Sequence, residues 1–358
     1  MEWGDAPMRA ARHTLRPHGR SRRIVAPMFD PFDETWWCAS EKLNWWFSSI
    51  AATPGWAMKR DEAREWLAGR RDMALSALGL LASYRTVETS QLRALDPQLP
   101  AYANAPLYRA LAGVGWVDAG FPARLDARAV SNPRTAPFMA LRLPAYRAVT
   151  LRRIATLLDA TPMEMASLSP SALKAARQFD RHNLIAVAVA AAARADGWTT
   201  IGEAWCRFDR ICADPQVSHA SGGPDLALVG ADGLVFVELT ASGGQGLEGK
   251  FARWDEKLYH PALRRAHVVW LQAGRGSGAR ELSKRLAGLC ADRPRQHMAD
   301  ARDWLTSRVC ADGWEPEPGV ADPRGWARAD LAHAGALCGF PAAGRWRIPE
   351  RMAGGWWG

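Results

Sequence analysis

Two carboxylates stand at a spacing that invites metal chemistry. In Pro224-Asp225-Leu-Ala-Leu-Val-Gly-Ala-Asp-Gly-Leu-Val-Phe-Val-Glu238-Leu239-Thr240, Leu226–Val229 and Leu234–Leu239 read as short apolar strands around Gly230-Ala231-Asp232-Gly233, which is strong turn material. A two-residue loop at Ala231-Asp232, or the whole four-residue turn, sets Asp225 directly opposite Glu238. A loop at Asp232-Gly233 shifts the pairing by two and keeps both acids on one face; only an odd-length loop separates them. Opposed residues have Cβ atoms about 4.5–5.5 Å apart. Carboxylates that close, on a hairpin apolar on both faces, repel unless one is protonated or a cation bridges them. Mg²⁺ or Mn²⁺ held by one or two carboxylates resolves the conflict, and such an ion generates hydroxide and stabilises charge on a phosphodiester. The plainer reading leaves both acids on a solvated sheet rim, with Glu238 paired to an arginine.

The elements that must position this pair are legible on either side. An Ala/Val-rich segment from about Arg181 to Arg194, apolar on most sides, reads as a buried helix. A strand is expected near Thr199–Ile201 or Ala204–Phe208. After the hairpin come a helix from about Leu247 to His260 and a strand at His267–Leu271. Leu247, Phe251, Trp254 and Leu258 give that helix its packing stripe, and Lys250, Arg253 and Lys257 share one flank. The order is αβββαβ, an α/β domain whose last crossover returns a strand to the same sheet.

Ahead of it, Met73, Leu75, Leu78, Leu80 and Leu81 predict a helix ending near Tyr84. Thr86–Leu92 reads as the capped start of a second short helix. Asn104 is expected to cap a third, with Pro106 in its first turn, Leu107, Leu111 and Val114 inward, and Gly115 as its stop. Trp116-Val117 and Phe138–Leu141 read as strands around a Pro/Arg-rich loop. Three short helices and a β-hairpin make a winged helix-turn-helix, whose third helix enters the major groove. Asn104, Tyr108 and Arg109 are then expected to meet double-stranded DNA, with Arg124, Arg128 and Arg134 on phosphates from the wing. Winged helices also serve as protein-docking modules.

Pro-Asp followed by a Glu ending a strand, in that element order, resembles the PD-(D/E)XK (restriction-endonuclease-like) nuclease superfamily. The winged helix ahead of it, with Arg181-His182-Asn183-Leu184 and Val237-Glu238-Leu239-Thr240, resembles the replication-relaxation family of bacterial mobile elements. The resemblance covers residues 71–310. It implies that Asp225 and Glu238 are metal-binding carboxylates and that a lysine stands two residues after Glu238. Thr240 occupies that place, so Lys250, near the start of the next helix, is the expected catalytic lysine. The resemblance thus implies a Mg²⁺-dependent endonuclease or nickase of a plasmid or mobile element. A non-catalytic DNA-binding accessory with a degenerate nuclease fold is the alternative, and a restriction nuclease resembling the Mrr type is a third reading.

Composition is consistent with these readings and excludes others. The chain has 358 residues, 46 of them Lys or Arg, and a formal net charge of +9, which favours acidic partners. Its longest apolar run, Leu184–Ala193, is half the ~20 residues needed to span a bilayer, and six cysteines without Cys-x-x-Cys spacing indicate neither a zinc site nor a disulfide framework. A cytoplasmic protein is expected. Residues 1–70 form a basic arm and a Trp-rich segment of short helices, 71–149 the winged helix, 150–180 a helical connector, 181–310 the nuclease-like domain and 311–358 an irregular Trp/Gly/Pro-rich tail. A protein partner at the Trp-rich termini and a homodimer are both compatible with this layout. Gly244-Gln-Gly-Leu-Glu-Gly249-Lys250 matches a nucleotide-binding loop only in part, because Phe251 replaces the Ser/Thr that would hold Mg²⁺. His182, Glu203 and His219 are secondary candidates for the carboxylate site.

Overall fold

The computed structural model describes residues 30–37, 41–122, 138–144, 148–168, 179–195, 198–206, 208, 223–229, 234–244, 246–263 and 266–306. The expected wing residues Arg124, Arg128 and Arg134, the hairpin turn at 230–233, His219 and both termini lie outside the described residues. The chain is a mixed α/β structure with two sheets. Among the described residues no helix is long and apolar enough to cross a membrane.

The first half begins with a strand where short helices were expected: β1 (Asn44–Trp46) carries the Trp pair. Helices α1 (Arg60–Ala68) and α2 (Arg71–Tyr84) come next, the latter buried along nearly its whole length. A short strand, β2 (Thr86–Glu88), leads into α3 (Thr89–Leu95). Glu88 sets the start of α3 through a capping box: its side chain accepts from Ser90 N at 2.7 Å, and Gln91 Oε1 accepts from Glu88 N at 3.1 Å. Helix α4 (Pro106–Gly113) starts from Ala105 with no side-chain cap, so Asn104 does not cap it; Pro106 sets the first turn instead. It ends in a Schellman arrangement around Gly115 (φ 71°), with Trp116 N on Leu111 O and Gly115 N on Ala112 O. Strands β3 (Asp118–Phe121) and β4 (Ala140–Arg142) begin two residues later than the sequence pattern places them. The antiparallel sheet runs β1-β3-β4-β2. Gly120 lies opposite Trp45, where a Cβ would come within 2.9 Å of the indole; the ring covers the glycine and carries the Arg142 guanidinium 3.8 Å above it.

Helices α5 (Ala148–Leu158) and α6 (Pro162–Ser167) connect to the second half. That half contains α7 (Asp180–Ala195), β5 (Thr199–Gly202), β6 (Leu226–Val229), β7 (Leu234–Thr240), α8 (Leu247–Leu258), β8 (Ala266–Gln272), α9 (Gly278–Cys290), β9 (Gln296–Asp300) and α10 (Ala301–Thr306). The sheet order is β5-β6-β7-β8-β9, antiparallel through β7 and parallel from β7 to β9. Leu226 pairs with Val237 and Val229 with Leu234, an even register; Asp225 stands just before β6 and donates its N–H to Val237 O. Leu226, Leu228, Val235 and Val237 face the core shared with α2, α3 and α7, while Ala227, Val229 and Phe236 face α8 and α9. This two-sided burial explains why both strands are continuously apolar. Phe251 of α8 stacks on Trp270 of β8 with centroids 3.9 Å apart.

Helix α7 is apolar all round because it packs on α3 and β2 of the first half and on β5 and β6 of the second. Its first turn reaches four distant places. Asp180 accepts from Leu43 N (2.8 Å) and Trp45 Nε1 (3.0 Å), and Arg181 donates to Ala273 O (2.7 Å). His182 meets Asp225, and Asn183 donates to Thr86 Oγ1 (3.4 Å).

Candidate functional site

The carboxylate pair sits where β6 begins and β7 nears its end. Asp225 N donates to Val237 O (3.1 Å), and Asp225 Oδ2 accepts from Leu239 N (2.8 Å), so the side chain takes a place that a backbone carbonyl would hold in the ladder. The other oxygen, Oδ1, faces His182 Nε2 at 3.1 Å. Glu238 is 2% exposed and is gripped from α8: Lys250 Nζ pairs with Oε2, and Trp254 Nε1 donates to Oε1 at 2.6 Å. Lys250 and Trp254 are four residues apart and therefore share a helix face. The ammonium also stands 5.6 Å from the centroid of the Trp270 ring, and Trp270 pairs with Glu238 across β8. Thr240 is buried and carries no charge; the cation comes from α8.

The electrostatics separate the two acids. Burial pushes Glu238 up to about 7, with the Asp225 charge adding to the rise and Lys250 opposing it. Burial also acts to raise Asp225, but the His182 charge and hydrogen bond, Lys250 and the Leu239 N–H outweigh it and hold Asp225 at about 2. Against the burial that would lower them, Asp225 raises His182, and Glu238 and Asp225 raise Lys250. Glu203, just past β5, is raised by burial and partly restrained by Arg85, whose Nη2 lies 2.7 Å from its Oε1. Arg85 ends α2 at φ 68°, a backbone strain of about 1–3 kcal/mol for a residue other than glycine. No sequence signal marked Arg85, and Trp254 read only as a packing residue.

Asp225 and Glu238 offer the hard oxygen donors that Mg²⁺ or Mn²⁺ takes, but each of their four oxygens already has a partner within the chain, with Lys250 on Glu238. Among the described residues no group of three or more His, Cys, Asp and Glu is arranged to hold a metal.

The three described residues expected to meet DNA do not form an interface. Tyr108 is fully buried and donates its hydroxyl to Pro100 O (2.6 Å). Arg109 is tied down by Trp56 O, which accepts from its Nε (2.9 Å), while Met58 N donates to Arg109 O (3.0 Å). Asn104 is half-buried. A Cβ on Gly113 would lie 2.1 Å from Met58 O, so the segment around Met58 packs directly against α4. Tyr108→Phe is accordingly expected to leave duplex affinity unchanged in a gel-shift titration and to cost about 1 kcal/mol in denaturant unfolding. Gly246 (φ 105°) precedes α8, whose first turn holds Gly249 and Glu248, the latter paired to Arg285.

Comparison with protein-family models, with curated proteins and with solved structures finds no match.

Proposed function

We propose that the protein acts on DNA as a metal-dependent nuclease of the PD-(D/E)XK type, encoded by a plasmid or mobile element as in the replication-relaxation family that its sequence resembles. The observation that carries this reading is the meeting of Asp225, Glu238 and Lys250, from two strands and the following helix, at one end of a mixed sheet. The sheet order and the α7-to-β8 succession support a restriction-endonuclease-like domain, and the α2-to-β4 order supports a winged helix, here with its third helix packed against the Met58 segment.

In phosphodiester hydrolysis a water oxygen bonds to phosphorus, a P–O bond breaks, and the leaving oxygen takes up a proton. Asp225 and Glu238 would hold Mg²⁺ or Mn²⁺, which when bound supplies a polarised water and neutralises phosphate charge. Asp225 is kept ionised by His182, and Glu238 becomes a carboxylate as its proton leaves near pH 7. Lys250 presents its ammonium to charge developing on the phosphoryl oxygens. His182, hydrogen-bonded to Asp225, fixes that carboxylate's orientation.

One observation favours a second reading. Both oxygens of Glu238 and both of Asp225 already have partners within the chain, as in a self-contained ion-pair network on a non-catalytic DNA-binding platform. Incubating supercoiled plasmid with the protein and Mg²⁺ or Mn²⁺ decides between them. Conversion to nicked or linear DNA, lost in Asp225→Asn, is the expected result. Intact plasmid with retained duplex binding would establish the platform instead.

A further inference from the structure

We propose that a cleft between α1 and α5 binds backbone phosphates of duplex DNA, an inference that rests on the DNA-acting reading above. The cleft has a volume of about 610 Å³, and Arg60 and Arg64 line it from α1 while Arg152 and Arg153 line it from α5. Arg60 and Arg64 are four residues apart and so share one face of α1. All four side chains belong to exposed residues, and among the described residues lining the opening none is acidic. Arg64 meets Asp61 at 3.5 Å in an exposed pair worth little. Among the described residues Arg60, Arg152 and Arg153 form no ion pair, and α5 contains no acid at all.

The cleft's position explains why it takes over from α4. Its inner wall includes Val114, Gly115 and Trp116, the end of the helix that the 56–63 segment packs against. The helix expected to enter a groove is closed, and α1, which packs on α4, carries guanidinium groups outward at the same place. Guanidinium forks match phosphate oxygens bidentately, and four of them facing one opening without carboxylates form a phosphate receptor. A free nucleotide offers the same phosphate chemistry, so the test must separate the two sources.

The experiment measures duplex affinity of the full chain against salt for wild type, Arg152→Ala/Arg153→Ala, Arg60→Ala/Arg64→Ala and the corresponding Lys pairs. The log–log slope is expected to fall by about 0.9 for each phosphate no longer neutralised, and the Lys pairs to keep it near wild type. Thermal melting of each variant checks the fold, and the Lys pairs, which keep the charge, separate lost charge from lost structure. Wild-type binding with slope and affinity unchanged in both Ala pairs would overturn the cleft alone. A wild type without salt-sensitive duplex binding would overturn the DNA-acting reading and the cleft together. A fluorescent nucleoside triphosphate bound by wild type and lost in the Ala pairs, with the DNA slope unmoved, would overturn the backbone assignment in favour of a free nucleotide.

Discussion

Glu238→Gln is expected to lower plasmid cleavage by at least about 10²-fold, the lower end of what a positioned charge or proton-transfer group supplies. The amide keeps the shape of the side chain and an oxygen for Trp254 Nε1, but it removes the charge that Lys250 and a divalent ion would share. The pH dependence has its origin in the same group. Of the two carboxylates Glu238, pushed up to about 7, is the one that changes state near neutrality, while Asp225 sits at about 2; His182 beside them is raised by Asp225. Mg²⁺ must displace that Glu238 proton to bind, so metal affinity should rise as pH climbs to about 7 and level off above it. Stability runs the opposite way over part of this range. The folded state holds the Glu238 proton more tightly than the unfolded chain does, so ionising Glu238 costs stability as pH climbs from its ordinary value near 4.5 to about 7. In Glu238→Gln that decline should be absent from urea titrations. An active Gln variant, or a metal affinity flat up to pH 7, would remove Glu238 from the site.

Gly202→Ala is expected to be strongly destabilising at the seam between α2 and β5. A Cβ there would lie 2.3 Å from Ser83 O and 2.6 Å from Ser83 Oγ, and a backbone carbonyl cannot swing away as a flexible side chain can. Overpacking of this kind costs about 1–3 kcal/mol or more, a drop of several degrees in a thermal melt. The seam is held by neighbouring contacts: Tyr84 OH and Thr200 Oγ1 lie 2.8 Å apart, and Arg85 pairs with Glu203. Pushing β5 off the end of α2 should therefore loosen Glu203 at the carboxylate site as well. Gly244→Ala, with open space around it, is the matched control. Equal melting temperatures for the two variants would contradict the packing described.

Much of the second half was legible because its signals are local. The turn pattern predicted an even register for the hairpin, which β6 and β7 have, and the stripe Leu247, Phe251, Trp254, Leu258 placed Lys250 on the helix that reaches Glu238. Helix α9 carries an equally plain signal in Leu282, Leu286 and Cys290, four residues apart, but the glycine-rich stretch before it reads as loop. The misplacement of Tyr108 has a different origin. An eight-residue helix shows one inward stripe, Leu107 and Leu111, and its second buried face depends on residues 56–58, some fifty positions earlier, which no local period can reveal. Arg85 was invisible for the same reason, since its partner Glu203 is 118 residues away. Trp45-Trp46 read as helix because a three-residue edge strand is too short to show alternation.

The first turn of α7 has a consequence for how the chain comes into being. Asp180, Arg181, His182 and Asn183 each wait for a partner elsewhere: residues 43–45 and 86 are made long before them, and residues 225 and 273 long after. Closing such long loops is entropically costly until many contacts form together. On a ribosome the turn cannot be completed until Ala273 has emerged. His182 can meet Asp225 before Arg181 can meet Ala273, so the carboxylate cluster can close while one anchor of the turn is still unmade.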